Sequence, residues 1–475
     1  MPELSEELYF STVAEWNIKL KAKQVSAMEL ARAFAARLEK LGPRYNALAL
    51  PLTERAVKKA KSADDDIKRD RFRSQLLGIP FGAKDLLSVA GVPTTWGAKP
   101  YAAQVFDYDA TVLQKLDKVG AVLIGKLSMV ELAGGGGYRF PAASLFGPGI
   151  NPWDRSRWSG GSSSGSGSAV AAGLVPFAIG SETSGSILTP SAYCGITGLR
   201  PTYGLVSRHG AMPLSWTMDK LGPMCHSAED CGLVLAAMAG GDSNDPGSAG
   251  KSFYYAPEFA RKMEDLRLGY APVDFAEWAE PAARPAFEKA LADLRALGLK
   301  VVETKLPEFP YRAVVDTVIE AEAGSVFEPL IRSGKVDQLA DQKQIAGLKA
   351  CLGISAADYL KAMRIRGEIR EAFRKLYADV DVLLAPSRYG PASKLSDPLD
   401  KGITGRPVPQ TPGMNVLIGA GNLVGFPALS LPCGFADKLP VAIQLVGLPF
   451  SENMLLAIGK QYQSHTDWHR QRPPV

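Results

Sequence analysis

Two clusters of glycine and serine carry the hydroxyl groups best placed for nucleophilic chemistry. The first runs Trp158-Ser159-Gly160-Gly161-Ser162-Ser163-Ser164-Gly165-Ser166-Gly167-Ser168, the second Gly180-Ser181-Glu182-Thr183-Ser184-Gly185-Ser186-Ile187. Glycine lets a backbone turn sharply and approach a ligand, and a serine hydroxyl becomes a nucleophile once a base takes its proton. The chain has four histidines, His209, His226, His465 and His469. The first two sit in turn-like contexts and the last two near the C-terminal end, so each reads as structural. Gly161-Ser162-Ser163-Ser164-Gly165 matches the bare Gly-x-Ser-x-Gly pattern, but a nucleophile elbow follows a strand and residues 153–160 are polar and irregular. A serine hydrolase built here needs a base other than histidine, and lysine is the obvious candidate. Lys84 stands among Phe81, Leu86, Leu87 and Val89; burial favours the neutral amine, the form that accepts a proton.

The elements that must position these groups alternate between helix and strand. Ser26 with Glu29 forms a capping box for a helix reaching Leu41 and stopping at Gly42-Pro43. The approach to Lys84 from Leu76 and the run Ala121–Gly125 read as strands, separated by a helix from Thr111 to Val119. The first serine cluster feeds an Ala/Ser-rich helix over Gly165–Gly173 whose free N–H groups face the cluster. An apolar run, Leu174–Ile179, leads into the second cluster, which a flexible linker would not do. Residues Thr189–Gly195 read as an ordered but irregular wall. Helix 282–297 and strand 300–305 make a β-α-β element with Arg267–Tyr270, residues 311–377 are mainly helical, and Asp381–Pro386, Leu429–Gly434 and Val441–Val446 read as strands. This alternation is that of an α/β chain.

Composition narrows the partners. The 475 residues carry Lys+Arg 54 against Asp+Glu 49, a net charge of +5, with no basic tract suited to nucleic acid. Five widely spaced cysteines without a Cys-x-x-Cys fit unpaired thiols in a reducing compartment. There is no His-Glu-x-x-His and no Cys/His cluster, so no metal site is expected. The four-glycine loop Gly134–Gly137 lacks the Gly-Lys-Ser/Thr of a phosphate loop. The acidic N-terminus, without a following apolar stretch, is unlike a secretory signal, and no run of 18 apolar residues predicts a membrane span.

The clusters, in this order, resemble the amidase signature family. Gly160-Gly161-Ser162-Ser163, Gly180 to Ile187, and Cys194-Gly195-Ile196-Thr197-Gly198-Leu199-Arg200-Pro201-Thr202-Tyr203-Gly204 carry the likeness, with Gly78-Ile79-Pro80, Lys84-Asp85, Asn422 to Ala428 and Pro432-Cys433-Gly434. It extends from about Leu30 to Tyr462. It implies one α/β/α domain over residues 1–475 around a large mixed central sheet covered by helices. Residues 1–70 form an N-terminal helical region and residues 305–377 a helical insertion covering the substrate cleft. It also implies a triad: Lys84 as base, Ser162 as bridging serine after a cis Gly161-Ser162 bond, and Ser186 as nucleophile, with Ser184 the competing choice. The backbone N–H groups of Thr183, Ser184, Gly185 and Ser186 would form the oxyanion hole, with Ser163 in support. Ser184 replaces the family's usual glycine and Glu182 its common aspartate.

The implied activity is a serine amidohydrolase acting on carbon–nitrogen bonds other than peptide bonds, through an acyl-enzyme and without cofactor or metal. The loop 129–158 precedes Ser162, and its Met129, Tyr138, Phe140 and Phe146 are expected to line a pocket for a neutral, apolar or aryl amide, and for carbamates (urethanase-like) and esters. On this reading the protein is a cytoplasmic monomer or homodimer acting on a small molecule, away from nucleic acid and membranes. Two alternatives stand beside it. One is the glutaminase A-type subunit of a tRNA-dependent amidotransferase; against it, the stretch Asp341–Lys349 lacks the arginine that the resemblance leads one to expect as a carboxylate clamp, although Arg364 and Arg366 lie beyond. The other is a non-catalytic binding protein on the same scaffold.

Overall fold

The computed structural model describes residues 4–399, 409 and 412–475; residues 1–3 of the expected N-terminal helical region lie outside it. Eleven strands of the described residues form one mixed sheet. They are β1 (Leu48–Pro51), β2 (Pro80–Lys84), β3 (Val122–Leu127), β4 (Phe177–Glu182), β5 (Thr197–Arg200), β6 (Lys220–Cys225), β7 (Arg267–Tyr270), β8 (Lys300–Glu303), β9 (Val382–Pro386), β10 (Ala428–Ala436) and β11 (Leu439–Val446). Their order across the sheet is β1-β3-β2-β4-β6-β5-β10-β11-β9-β7-β8. β2 runs parallel to β3 and β4, and β7 parallel to β8 and β9, while β4–β6–β5–β10–β11–β9 are linked by antiparallel pairings. The fold is α/β, a large mixed central sheet flanked by helices.

Local chemistry sets the helices. Ser26 accepts from the Glu29 N–H at 3.1 Å while Glu29 accepts from the Ser26 N–H at 2.8 Å, the expected reciprocal cap on the helix Ala27–Leu41. Its apolar stripe, with Leu30, Phe34 and Leu38 fully buried, packs on the helix Thr53–Lys68 and on β3. Helices Ala228–Met238 and Glu452–His465 pair over β6 and β10. The region after Tyr311 holds the helices Tyr311–Val326, Gln342–Cys351 and Ala356–Leu376, with breaks at Gly334 and Gly353 as the glycines predict.

One local expectation is corrected. The punctuated run after Ser186 is a helix, Leu188–Cys194. Its Pro190 sits in the first turn, where a missing N–H costs nothing, and Gly195 closes it in the left-handed region at φ +69°. The apolar run continues as strand into the second cluster: β4 carries on through Gly180 and Ser181 to Glu182, held by pairing with β6 from Phe177↔Cys225 to Glu182↔Lys220. Strands β1, β5 and β6 contain Pro51, Gly198, and Gly222 with Pro223, and periodicity does not single them out. No helix of the described residues is long and apolar enough to cross a membrane. All five cysteines are free and buried.

Candidate active site

Three parallel neighbours at the centre of one half of the sheet, β3, β2 and β4, bring the chemistry together. Lys84 is the last residue of β2 and its side chain is fully buried. Its Nζ donates to Ser162 Oγ at 2.7 Å and to Ser181 Oγ at 2.8 Å. Ser162 follows the cis Gly161-Ser162 peptide bond. Burial pulls the Lys84 amine down to about 7, and the negative charges of Asp219 and Glu182 limit the fall. Its neutral form, which can accept a proton, is thus far more accessible than that of an exposed lysine.

The first cluster is stapled to the second by Ser163. Its N–H donates to the Ser186 carbonyl at 3.2 Å, its Oγ donates to the Ser181 carbonyl at 3.2 Å, and the Ser181 N–H returns a bond to that Oγ at 3.3 Å. The helix Ser164–Ala171 then begins against the end of β3, where the Gly165 N–H donates to the Ser128 carbonyl at 3.0 Å. A Cβ on Gly165 would lie 2.6 Å from the Ala47 carbonyl oxygen, so only glycine fits there.

The turn from Thr183 to Ser186 leaves β4 and is clamped at both ends by carboxylates. At its entry, Thr183 Oγ1 donates to Asp219 Oδ1 at 2.6 Å, and Asp219 Oδ2 accepts from the N–H groups of Leu214 and Ser215 at 2.8 and 2.9 Å. At its exit, Glu182 Oε2 accepts from the N–H groups of Ile187 and Leu188 at 2.8 and 2.9 Å. Glu182 Oε1 accepts from Arg200 Nη1 at 2.9 Å and Asn422 Nδ2 at 2.7 Å. Burial alone would raise the Glu182 carboxyl; Arg200 and the hydrogen-bond donors outweigh it and leave it below the usual range. Burial raises the Asp219 carboxyl against its three hydrogen bonds. Between the clamps, the N–H groups of Ser184, Gly185 and Ser186 have no hydrogen-bond acceptor among the described residues. Gly185 takes φ +94°, in the left-handed region. Three unpaired N–H groups on a fixed turn can stabilise an oxyanion. Ser186 is half-buried beside them, whereas Ser184 is exposed.

The four expected pocket residues take different positions. Met129 is fully buried in the main core. Tyr138 meets Trp158 edge-on at 6.2 Å, and its hydroxyl would lie 3.1 Å from a Cβ on Gly161, so it backs the first cluster. Phe140 is exposed beside Arg139, and Phe146 is half-buried on the loop. A cavity of about 440 Å³ that reaches Ser181 and Thr183 is walled instead by residues from 203–221 and 244–247, with Leu86 and Ala133. A Cβ on Gly185 would lie 3.2 Å from both Ile418 Cγ2 and Thr189 Oγ1, and a Cβ on Gly419 would lie 3.5 Å from Val315 Cγ2 and 3.8 Å from Ser184 Oγ. Asp341, in the stretch that lacks the expected arginine, accepts from the Arg139 and Phe140 N–H groups at 2.9 and 3.0 Å. Sequence reasoning missed Ser181 and Asp219. The signal for Ser181 was its place at the end of an apolar run that continues as strand; for Asp219 there was none, since only the β6 pairing carries it under Thr183. The described residues contain no group of His, Cys, Asp and Glu able to hold a metal.

A family model described as Amidase matches residues 29–456. The chain belongs to the amidase signature family. It is accordingly a serine-dependent hydrolase acting on carbon–nitrogen bonds. The chain is 36% identical over 492 residues to the A subunit of glutamyl-tRNA(Gln) amidotransferase from Coxiella burnetii, covering 98% of this chain and 100% of that one. The corresponding protein of Chloroflexus aggregans is 36% identical over 496 residues, covering 99% of each. Among solved structures, peptide amidase from Stenotrophomonas maltophilia superposes with a TM-score of 0.84 at 30% identity, covering 98% of each chain. A vestigial protein complex bearing on the origins of an s-triazine catabolic enzyme gives 0.86 at 31%, covering 96% of this chain and 98% of that one. These relatives correct the expectation of a monomer or homodimer without nucleic acid. Matched over their whole length, the curated ones are subunits, and the enzyme they belong to is named for a charged tRNA.

Proposed function

We propose that this chain is the amide-hydrolysing subunit of a tRNA-dependent amidotransferase, releasing ammonia from glutamine through a serine acyl-enzyme in the cytoplasm. The observation that carries the reading is the match to the glutamyl-tRNA(Gln) amidotransferase relatives over nearly the full length of both chains. Neutral Lys84 takes the Ser162 proton as Ser162 takes that of Ser186, and Ser186 attacks the amide carbon. The N–H groups of the 183–186 turn receive the oxyanion; such donors contribute about 3 to 4 kcal/mol each when well placed. The proton returns through Ser162 to the leaving amine, and water then cleaves the acyl-enzyme. The test is ammonia release from glutamine by the chain alone and with the remaining subunits of a relative's amidotransferase present. Glutamine turnover that rises with those subunits supports the reading; none in either case overturns it.

A second reading, hydrolysis of a neutral, apolar or aryl amide or carbamate, is favoured by the charges around the cavity. Arg208 is paired with Asp245 at 2.6 Å and also donates to the Trp216 carbonyl. Arg366 donates to Thr217 Oγ1 at 2.8 Å and to the Thr217 carbonyl at 2.7 Å. Both guanidinium groups are committed to protein acceptors, and a glutamine carboxylate entering there would be poorly paired. An aryl amide turned over faster than glutamine by the assembled enzyme, with an unactivated alkyl amide also accepted, would establish this reading in place of the first.

A further inference from the structure

We propose that Glu322, on the helix Tyr311–Val326, is a positioning residue for the oxyanion turn: it holds the loop 214–219, and that loop holds Thr183 through Asp219. The inference rests on the acyl-transfer reading of Lys84, Ser162 and Ser186, and holds for either reading of the substrate. Glu322 is 2% exposed, and its charge is met by four hydrogen-bond donors. Oε2 accepts from Ser215 Oγ at 2.6 Å and from the Thr217 N–H at 3.1 Å; Oε1 accepts from Thr217 Oγ1 at 2.8 Å and from Tyr359 Oη at 2.7 Å. Three of these donors belong to the loop. From the helix Ala356–Leu376, which packs on the first, Arg366 completes the grip. Its Nη1 donates to Thr217 Oγ1 at 2.8 Å and its Nη2 to the Thr217 carbonyl at 2.7 Å. Every polar group of Thr217 is thus held by the two helices. Its hydroxyl accepts from a guanidinium and donates to a carboxylate, so its proton has one direction, and charge on both sides strengthens the bonds.

The loop passes this constraint to the turn within two residues. The N–H groups of Met218 and Asp219 donate to the Ser215 carbonyl at 2.8 and 2.7 Å, and Asp219 Oδ2 accepts from the Leu214 and Ser215 N–H groups, so residues 214–219 close on themselves. That leaves Asp219 Oδ1 for Thr183 Oγ1, at 2.6 Å. The pairing of β4 with β6 ends at Glu182↔Lys220; one step further on each strand, the Thr183–Asp219 bond carries the alignment into the turn. Tyr203 and Arg208 also reach the loop, but only at the Trp216 carbonyl. Glu322 takes the residues on either side of Trp216, by side chain and by N–H. The next three N–H groups after Thr183 are those free to receive an oxyanion. Their value depends on where they point when charge develops, so a small displacement costs the transition state more than it costs substrate binding. Lys84 and Ser162 take no part in this chain of bonds.

The experiment uses the protein with any subunits it requires, p-nitrophenyl acetate as acyl donor, and phenylboronic acid as a probe of the turn. A boronate on Ser186 Oγ is tetrahedral and carries negative charge where the oxyanion forms. Rates are divided by the number of sites that can be acylated, counted by mass, so a loss of folded protein does not register. Expected in Glu322→Ala is a tenfold or larger fall in kcat with KM within twofold, and a similar loss of affinity for phenylboronic acid. Glu322→Gln keeps the reach and one acceptor oxygen, and should recover part of each. Thr217→Val removes the hydroxyl between Arg366 and Glu322 and should move kcat and boronate affinity the same way; it decides the matter where Glu322→Ala does not fold. Added to Asp219→Asn, the Glu322→Ala change should cost little more, because the one acts through the other. Fully additive losses overturn the role. So does a loss confined to KM, or kcat and boronate affinity per site equal to wild type. A wild-type protein that shows no acyl adduct on Ser186 overturns instead the acyl-transfer reading on which the role rests.

Discussion

Lys84 and Lys126 are both fully buried and lie on adjacent parallel strands, yet they do different things. Ala83, not Lys84, is opposite Lys126 in the register, so the two amines leave opposite faces of the sheet. Lys126 Nζ lies 2.7 Å from Asp85 Oδ1, and it also donates to Thr94 Oγ1 and to the Pro93 carbonyl. Burial pulls its amine down and the Asp85 charge opposes the change. Lys84 meets two hydroxyls and no carboxylate in contact. The consecutive residues Lys84 and Asp85 thus divide the roles: one amine is given a counter-charge and becomes structure, the other is denied one and can trade a proton at neutral pH. Burial alone does not make a base; burial without an ion-pair partner does.

The contrast is broken most strongly by removing each amine. Lys84→Met should lower acylation by about 10³-fold or more, the scale of a lost general base, while thermal unfolding shows the fold retained, because no ion pair is lost. Lys126→Met should do the reverse. It strands Asp85 in the core at a cost of about 3 to 5 kcal/mol, read as a fall in melting temperature, and the double variant with Asp85→Asn should recover much of the loss. Equal melting temperatures for the Lys126→Met single and double variants would show that Asp85 is not the partner that matters.

Shortening the clamp under the turn comes next. Glu182→Asp withdraws the carboxylate from the Ile187 and Leu188 N–H groups, and kcat should drop about tenfold, well within the cost of misplacing an oxyanion donor; KM should change little. The pH profile sharpens the comparison further. The base must be neutral, so kcat/KM should rise with pH through about 7 and then level. The folded Lys84 amine loses its proton at lower pH than the unfolded one. Between those two values the unfolded chain binds more protons, and stability should rise with pH across the window from about 7 up to the ordinary lysine range. Lys84→Met should flatten this part of the stability curve; an unchanged slope would assign it to another group. The smallest effect is expected at Phe140→Ala. An exposed ring away from the cavity should leave kcat/KM within about twofold of wild type and stability within about 0.5 kcal/mol.

What the sequence made legible follows from which forces are local. The capping box at Ser26, the apolar stripe of its helix and the glycine breaks at Gly334 and Gly353 are decided within a few residues, and they read correctly. Lys84 was visible because its neighbours in the chain are apolar. Ser181 and Asp219 were not, because their roles come from strand pairing: β6 returns antiparallel to β4 and delivers Asp219 beneath Thr183 across 36 positions. The aromatic loop shows the complementary limit. Proximity in sequence to Ser162 says that Met129, Tyr138, Phe140 and Phe146 can approach the site, but side-chain direction sends Met129 into the core, Tyr138 behind the first cluster and Phe140 to solvent. Glu182, noted from sequence only as one methylene longer than expected, uses that reach to span the turn to Ile187 and Leu188 while holding Arg200 and Asn422.

The Glu182–Asn422 bond joins residues 240 positions apart. During synthesis, Lys84, Ser162 and Ser186 have all left the ribosome long before Asn422 and β10 exist. Until that late segment arrives, Glu182 lacks one of its two side-chain donors and β5 has no β10 to pair with, so the hydrolytic turn is incompletely braced for most of the chain's elongation. The turn that follows β4 is therefore fully braced only once a residue made 240 positions later has joined it.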